Sequence, residues 1–334
     1  MNPGRVSERG GRQRVRAPAK INFGLRLTGL RGDGYHLLES LFVPIDLHDE
    51  VEIEWTPGPD EIDLEMLENP ASDLPVALRG VAGGAENLVC RAAETFRRAT
   101  GLRGRIRLVL RKAIPVGAGL GGGSSDAAAV LAALSALVGE GRPPRAVLAK
   151  LALTLGADVP FFLAPAPALV SGIGEIIEPI RGVPEFDLVI ANPGISVATA
   201  EVYRVADALA DSLTEPRAGS TMRAISRLRS ETGDWVSALG ELLVNDLKPA
   251  ANRLCPPIGR LMGRLQELGS VGVSMSGSGA TVFGVFESAE EAEKAVQELR
   301  SAPNSEDSWV RVTRTLSSDE AVVSQSESLS FLGA

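Results

Sequence analysis

The residues with the clearest chemical potential lie between Pro115 and Ala128, in the run PVGAGLGGGSSDAA. Five of them are glycines, and the run stands between a predicted strand and a predicted helix. Glycine lets backbone amides approach a ligand, and the start of a helix adds free amides and the positive end of its dipole. Ser124 and Ser125 add hydroxyls for phosphate or for a bound magnesium ion. The run therefore predicts a phosphate-binding loop.

Other interpretations of this run remain open. Gly117, Gly119 and Gly122 satisfy the GxGxxG pattern of dinucleotide-binding folds, so an NAD-binding oxidoreductase is an alternative. That fold needs a strand buried on both faces before the loop, whereas RIRLVLRK at 105–112 alternates charged and apolar residues. A flexible linker or a packing turn is a purely structural alternative. The P-loop pattern is excluded, because the chain contains no Gly-Lys pair.

An acid and a lysine complete the candidate chemistry. Phosphoryl transfer to an alcohol needs a carboxylate near the hydroxyl and positive charge near the transferred group. Asp158, in GADVP, and Lys20, in APAKIN, are the candidates. Taken singly, each is more often structural, as a turn aspartate or as a solvated lysine at a strand end. From the residues alone, a catalytic role and a structural role both remain open for Asp158 and for Lys20.

The elements that must position these residues form an α+β pattern. Alternation in 105–112 predicts a half-exposed strand of an antiparallel sheet, and residues 124–138 read as an alanine-rich helix with serine at its start, ended by Gly139. Further strands are predicted in INFGLRLTG, after Tyr35, in DEVEIEW, FDLVIANPG and WVRVTRTL, and on both sides of the glycine turn in GVSMSGSGATVFGVF. Further helices are predicted at 87–101, 143–155, 199–211, 220–231, 257–268 and 288–300, and residues 57–85 are read as a long connection.

Length and composition bound the class of protein. The 334 residues suggest about two domains. With 34 basic and 42 acidic residues the net charge is −8, so we expect no nucleic-acid partner. The longest apolar run is too short to span a membrane, and the two cysteines form no CxxC pair, so a cytoplasmic protein is expected. Residues 1–13 are predicted as a disordered basic leader and 317–334 as a mobile acidic tail.

Five ordered motifs resemble the GHMP kinase superfamily. They are APAKIN at 17–22, GDGYH at 32–36, the glycine run, LTLGADVPFF at 153–162 and SGSGA at 276–280. The resemblance covers about Val15 to Leu316 and implies a two-domain α+β GHMP kinase fold. Its N-terminal ATP-binding domain, like domain 2 of ribosomal protein S5, would span 14–175. A ferredoxin-like C-terminal domain would span 176–316.

The resemblance also implies an activity, and APAKIN and GDGYH narrow it to one branch of the superfamily. That branch uses ATP and Mg²⁺ to phosphorylate the 2-hydroxyl of 4-diphosphocytidyl-2-C-methyl-D-erythritol, a small-molecule step of non-mevalonate isoprenoid precursor synthesis. A monomer or homodimer is expected. Another GHMP small-alcohol kinase and an ATP-binding sensor without turnover remain alternatives.

Site residues carry over from the family position by position. Asp158 matches the catalytic aspartate, and Lys20 matches its partner lysine. The residues assigned to the nucleotide are Asn87, Lys112, Pro115, Gly117, Gly119, Leu120, Gly121, Gly122, Gly123, Ser124 and Ser125. The residues assigned to the acceptor are Asn22, Tyr35, His36, Tyr203, Gly277, Ser278 and Gly279. Tyr35 and Tyr203 would stack on the cytosine, and His36 would contact its edge. No metal ligand is assigned.

Overall fold

A computed structural model of the chain describes residues 10–67, 69, 74, 83–210, 220–228, 235–301 and 308–317. Residues 1–9 of the predicted leader and 318–334 of the predicted tail lie outside the described residues. No helix in the described part of the chain is long and apolar enough to cross a membrane. The described residues form two sheets with helices packed against them.

The first sheet has, within the described residues, six strands in the order β3-β4-β2-β5-β6, with β1 paired to β2. These are β1 (Gly11–Leu30), β2 (His36–Thr56), β3 (Glu61–Leu67), β4 (Arg105–Arg111), β5 (Ala168–Gly172) and β6 (Ile176–Pro179). In β4 the buried Ile106 and Leu108 alternate with exposed arginines, because one face meets the core and the other meets water. This confirms the predicted half-exposed strand, which pairs antiparallel with β2 and parallel with β3.

Among the described residues, four α-helices accompany this sheet. They are α1 (Leu88–Thr100), α2 (Gly122–Val138), α3 (Arg145–Leu155) and α4 (Val159–Phe162). The side chain of Asn87 caps α1 by accepting from the Val89 amide at 3.0 Å, and Gly101 ends that helix with a φ of 71°. Ala127, Ala128, Ala129 and Ala133 of α2 are buried, so this helix packs closely on β1, β2 and α1. Its first turn is thereby held at the edge of the sheet.

The second sheet is antiparallel in the order β10-β7-β9-β8. Its strands are β7 (Asp187–Asn192), β8 (Gly272–Met275), β9 (Val282–Phe286) and β10 (Trp309–Arg314). Its helices are α5 (Thr199–Ala210), α6 (Ser220–Leu228), α7 (Trp235–Leu242), α8 (Lys248–Leu254), α9 (Pro257–Glu267) and α10 (Ala289–Ser301). Helices α5–α9 lie between β7 and β8 in the chain, and α10 lies between β9 and β10, so the chain follows a β-α-β-β-α-β order. With this strand order the domain is ferredoxin-like, as predicted for the C-terminal half.

The two sheets share a core. The ring of Phe23, on β1, lies 5.5 Å from that of Phe186 and stacks at 5.6 Å on that of Phe283, on β9. All three rings belong to one buried cluster that draws residues from both sheets. Because this contact fixes the sheets against each other, residues from both halves can line a common cleft.

Some predicted boundaries need correction. Residues 11–13, predicted as disordered, begin β1 and pair with Trp55, Glu54 and Ile53, because alternate residues of this segment continue the face that Val15 buries. The first sheet runs to Pro179, past the predicted domain boundary at 175, because β5 and β6 form one hairpin. Residues 57–85, read as a connection, contain β3, in which Ile62, Leu64 and Met66 alternate with acidic residues and which pairs with β4.

Candidate active site

The two predicted catalytic residues lie together. Lys20 projects from β1 and Asp158 from the turn between α3 and α4, and Lys20 Nζ is 3.8 Å from Asp158 Oδ2. The lysine side chain is only 4% exposed, whereas the carboxylate is 33% exposed. The Asp158 carboxylate is therefore open to a ligand, whereas the Lys20 side chain beside it is buried.

Lys20 is held by more than its aspartate. Its ammonium donates to Asn22 Oδ1 at 2.7 Å and to the Gly119 carbonyl at 3.0 Å, and it lies 4.7 Å from the centre of the Phe42 ring. Burial lowers the pKa of Lys20, and the neighbouring Asp158 carboxylate opposes that shift only in part. The contacts with Asn22, Gly119 and Phe42 hold the Lys20 ammonium beside the glycine loop.

Asn22 links this lysine to the second domain. Its Nδ2 donates to Ser40 Oγ at 2.9 Å, and its backbone amide donates to Ser276 Oγ at 3.3 Å. Ser276 Oγ in turn donates to the Gly119 carbonyl at 2.9 Å. Asn22 is buried, and its Oδ1 is occupied by Lys20. We conclude that its side chain orients the lysine.

The glycine loop adopts a conformation that its glycines require. Gly119 and Gly121 have φ values of 77° and 73°, in the left-handed region that favours glycine. A Cβ on Gly119 would lie 2.2 Å from the Ser276 carbonyl oxygen, so the loop and the SGSGA turn are in backbone contact. Gly121 precedes α2 and provides no side-chain cap, so the first amides of that helix are left for a ligand.

A buried ionic group lies behind this loop. The Lys112 ammonium contacts both the Asp49 and Asp126 carboxylates, with 2.7 Å to Asp126 Oδ2. Asp49 also accepts from the amides of Ala113 and Ile114 at 2.5 and 2.8 Å. Burial raises the pKa of Asp126 to about 8, against the effect of Lys112. Burial also disfavours the Lys112 ammonium, but the two carboxylates outweigh it and raise the pKa of Lys112.

Aromatic residues line the far side of the same cleft. His36, at the start of β2, places Nε2 2.7 Å from Asp207 Oδ1, and its ring lies 4.9 Å from the Tyr203 ring. Tyr35 is 59% exposed. Burial raises the pKa of Tyr203 to about 12, with a smaller contribution from Asp158. The arrangement is suited to hold a flat ring between aromatic faces.

One cleft of about 780 Å³ brings most of the predicted acceptor residues together. The predicted site residues that line it are Lys20, Asn22, Tyr35, His36, Gly119, Gly121, Asp158, Tyr203, Gly277 and Ser278. Gly279 is not among them, although its amide donates to the Ser276 carbonyl within the same turn.

The remaining predicted nucleotide residues lie around the loop, outside this cleft. Asn87 caps α1, and the Lys112 ammonium packs near Gly122. Pro115 and Leu120 are buried, whereas Gly117 and Gly123 are exposed and Ser124 is half-buried. The Leu120 carbonyl accepts from the Lys20 amide at 3.0 Å. None of these nucleotide residues lines the cleft that contains the aromatic residues.

The first turn of α2 fits a magnesium nucleotide. Ser125 Oγ and Asp126 Oδ1 are buried there and, among the described residues, have no hydrogen-bond partner. Oxygen atoms of this kind are the ligands that Mg²⁺ prefers, usually with retained waters. Within the same residues no group of three acidic, histidine or cysteine side chains could hold a metal ion. The donor set therefore suits a cation that the phosphates also bind, rather than an ion held by the protein alone.

Sequence reasoning missed three residues of this site. Asn245 donates from Nδ2 to the Met275 and Gly277 carbonyls at 2.8 and 2.9 Å and so holds the SGSGA turn. Ser40 is the partner of Asn22, and nothing in the sequence spacing marks either of these two residues. Asp207 had a usable signal, because it follows Tyr203 by four residues on a predicted helix and must share its face.

The chain matches known proteins over most of its length. It matches the models for the GHMP kinases N terminal domain, over residues 87–165, and for GHMP kinases C terminal, over residues 224–305. A 4-diphosphocytidyl-2-C-methyl-D-erythritol kinase from Symbiobacterium thermophilum is 39% identical over 302 residues, or 90% of this chain and 99% of that protein. One from Geobacter metallireducens is also 39% identical over 302 residues, covering 90% and 98%.

Solved structures agree with these matches. A crystal structure of 4-(cytidine 5'-diphospho)-2C-methyl-D-erythritol kinase has a TM-score of 0.69 and 36% identity, covering 91% of this chain and 99% of the other. Mevalonate kinase from L. major, solved with R-mevalonate, has a TM-score of 0.71 at 16% identity, covering 94% and 98%, and that likeness shows the fold alone. The chain belongs to the 4-diphosphocytidyl-2-C-methyl-D-erythritol kinase family of the GHMP kinases.

Proposed function

We propose that the chain transfers the γ-phosphoryl group of ATP to the 2-hydroxyl of 4-diphosphocytidyl-2-C-methyl-D-erythritol, giving the 2-phosphate and ADP. The observation that carries this proposal is the Lys20–Asp158 pair, placed where the glycine loop meets a cleft with aromatic residues at its other end. An alcohol held at Asp158 would lie close to the phosphate-binding loop. A base that stacks on tyrosine would occupy the other end.

Asp158 and Lys20 would have different tasks. Asp158 is the exposed member, so its carboxylate accepts or positions the proton of the attacking hydroxyl. Lys20 has three donors, and the Asn22 and Gly119 contacts fix two of them, which leaves the third toward Asp158. The buried ammonium orients the acid and stabilises negative charge that develops on the attacking oxygen.

The acceptor would lie along the cleft. Tyr35 and Tyr203 provide aromatic faces for the cytosine, and His36 lies between α5 and the turn that carries Tyr35. Gly277 and Ser278 line the cleft with little side-chain bulk. This arrangement suits a substrate with a nucleotide base at one end and an alcohol at the other.

ATP and Mg²⁺ would bind at the glycine loop and the first turn of α2. The amides of Gly122 and Gly123 are available to phosphate oxygens, and Ser125 Oγ and Asp126 Oδ1 are the nearby oxygen donors for the cation. Bound Mg²⁺ neutralises phosphate charge in reactions of this type. A cytoplasmic location and a monomeric or homodimeric state remain predictions.

The test is ADP release by the purified full chain with ATP and Mg²⁺. The acceptors compared are 4-diphosphocytidyl-2-C-methyl-D-erythritol, mevalonate, homoserine and galactose. We expect turnover on the cytidine compound alone. Turnover on another acceptor would support a kinase activity but would contradict the assignment of Tyr35, His36 and Tyr203 to cytosine binding. Absence of turnover despite ATP binding would favour a sensor, and tight NAD binding without ATP binding would favour an oxidoreductase.

A further inference from the structure

A carboxylate holds the histidine at the aromatic end of the cleft. Tyr203 and Asp207 are four residues apart on α5, so they lie on one face of that helix, and both contact His36 from the other domain. Asp207 Oδ1 is 2.7 Å from His36 Nε2, and both residues line the cleft. The contact joins β2 to α5 across the space that the acceptor would enter.

The chemistry of the carboxylate decides which ring nitrogen carries the hydrogen. An ionised carboxylate only accepts hydrogen bonds, so Nε2 of His36 must be the donor. In a neutral ring the other nitrogen, Nδ1, then has a free lone pair and can only accept. Within the described part of the chain the His36 ring makes no second hydrogen bond. Its acceptor nitrogen is therefore available to a ligand.

An acceptor in this position distinguishes two pyrimidines. Cytosine has an amino group at C4, which donates hydrogen bonds, whereas uracil has a carbonyl oxygen there, which only accepts. A ring with an acceptor at Nδ1 can bind the cytosine amino group and repels the uracil oxygen. If the tautomer were free to change, Nδ1 could carry the hydrogen and bind uracil equally well.

The nearby charges leave Asp207 as the group that acts on this ring. Arg204, on the same helix and also lining the cleft, has its guanidinium donating to Glu201 at 2.8 Å. Arg31 makes a paired contact with Asp33, at 2.7 Å for its shortest bond, in the turn before Tyr35. Neither pair contacts the imidazole in the described structure.

We propose that Asp207 is a positioning residue that fixes the His36 ring with Nδ1 as its acceptor and thereby makes the cleft selective for cytidine over uridine acceptors. This inference rests on the proposed function. Asp207 itself is 58% exposed along its side chain and need not touch the substrate. Its effect passes through the histidine.

The kinetic test compares two variants with one control. Asp207→Ala removes the acceptor of the Nε2 hydrogen, whereas Asp207→Asn keeps an amide that can either accept or donate, so it retains contact without fixing the tautomer. Glu298→Ala removes an exposed carboxylate from α10, outside the cleft. Each protein is assayed at about pH 8 with the cytidine diphosphate acceptor and with its uridine counterpart.

The expected pattern separates affinity from selectivity. In Asp207→Ala the KM for the cytidine acceptor rises about tenfold, the effect of one charge-assisted hydrogen bond, while kcat and the KM for ATP stay near wild type. The ratio of kcat/KM between cytidine and uridine acceptors falls by about tenfold in both Asp207 variants. Asp207→Asn retains more of the affinity. Glu298→Ala matches wild type in every parameter.

A spectroscopic measurement tests the tautomer without turnover. The chain has two histidines, His36 and His48, so a spectrum of ¹⁵N-labelled histidine contains two rings, and His36→Asn identifies which signals belong to His36. We expect the Nε2–H form alone in wild type and a mixture of tautomers in Asp207→Asn and Asp207→Ala. The same mixture in wild type would overturn the proposal.

Two kinetic outcomes are also decisive. If wild type turns over the cytidine acceptor and both Asp207 variants keep its selectivity, the positioning role is rejected while the proposed function stands. If wild type turns over neither pyrimidine acceptor, the proposed function fails and this inference fails with it. A fall in melting temperature with equal rises in both KM values would make Asp207 a domain contact only, which also overturns the proposal.

Discussion

The two ends of the cleft are built differently. At the catalytic end, Lys20 is 3% exposed and is tied by hydrogen bonds to Asn22 and to the glycine loop. At the base end, Tyr35 is 59% exposed, and His36 is held by Asp207 from a different domain. One end is a buried polar network, and the other combines the exposed Tyr35 ring with the largely buried His36 and Tyr203.

This difference separates chemistry from recognition. A buried network with its donors and acceptors satisfied keeps one geometry, which phosphoryl transfer requires. An exposed ring can adjust to a ligand and contributes mainly to affinity. Substitutions at the catalytic end should therefore lower kcat, and those at the base end should raise the acceptor KM. The following predictions test that division.

The largest effect is expected for Asp158→Asn. The amide keeps the shape of the side chain but cannot take the hydroxyl proton, and it weakens the contact with the Lys20 ammonium. We expect kcat to fall by about a thousandfold, within the range for loss of a general base. The KM values for ATP and acceptor should change little. ADP release under saturating substrates measures the effect.

The matched control is Asp63→Asn, which removes an exposed carboxylate on β3 that pairs with Arg105. It should leave turnover unchanged. Near-normal kcat in Asp158→Asn, with an unchanged circular dichroism spectrum, would show that the acid is not needed for proton transfer.

The next effect concerns the glycine loop, and Gly119→Ala should break its contact with the SGSGA turn. The new Cβ would lie 2.2 Å from the Ser276 carbonyl oxygen, at a residue with a φ of 77°. We expect about 3 kcal/mol of lost folding stability, from backbone strain and the steric clash. Urea unfolding of the full chain measures this loss.

Gly123→Ala is the control for stability. A Cβ there meets only Leu88 Cδ1, at 3.4 Å, and the residue lies within α2, where alanine is favoured over glycine. It should be neutral or stabilising. Equal stability losses in both variants would contradict the close contact of the two loops.

The catalytic end was more accessible to sequence reasoning than the base end. The glycine run, Lys20 and Asp158 lie in short local motifs whose residue types limit their chemistry. Helix α2 ends at Gly139 as predicted, and it begins at Gly122, two residues before the predicted start at Ser124. The half-exposed strand at 105–111 also followed from local alternation. In these segments the local residue pattern was sufficient to predict the structure and the candidate residues.

The rest depends on contacts between distant segments. Asn245 bridges to Leu25 and donates to the Met275 and Gly277 carbonyls about 30 residues along the chain, and no local pattern carries that information. Ser40 belongs to the site through its hydrogen bond with Asn22. β3 was missed although Ile62, Leu64 and Met66 alternate with acidic residues, because the proline-, glycine- and acid-rich composition of 57–85 favoured a connection. Tertiary position, rather than residue type, gives these residues their roles.

A smaller effect is expected for Tyr35→Ala at the base end. The exposed ring contributes stacking and little to the core, so we expect about a tenfold rise in the acceptor KM, with kcat and stability unchanged. Tyr203→Ala removes a ring that packs against the core of the second domain, so it should raise the acceptor KM and also lower the melting temperature. A fall in kcat with unchanged KM for Tyr35→Ala would contradict the division between the two ends.

The smallest effect is a change in pH dependence from Asp126→Asn. Burial raises the pKa of Asp126 from 3.8 to about 8, so in this window the folded chain keeps a proton that the unfolded chain has lost. The contribution of this group to stability therefore falls as pH rises from about 4 to about 8. The asparagine cannot ionise and removes that fall. We expect the variant to match wild type near pH 5 and to exceed it by about 1 kcal/mol near pH 9.

Asp49→Asn provides the contrast within the same ionic group. Asp49 accepts from the Ala113 and Ile114 amides as well as from Lys112, so its substitution weakens three hydrogen bonds at every pH. It should lower stability by about 2 kcal/mol at both pH values, because buried donors lose their charged acceptor. If Asp126→Asn instead loses stability equally at pH 5 and pH 9, Asp126 is ionised throughout. The ionic group behind the glycine loop would then be a fully charged triad, held together like the Lys20 network rather than weakened by its excess carboxylate.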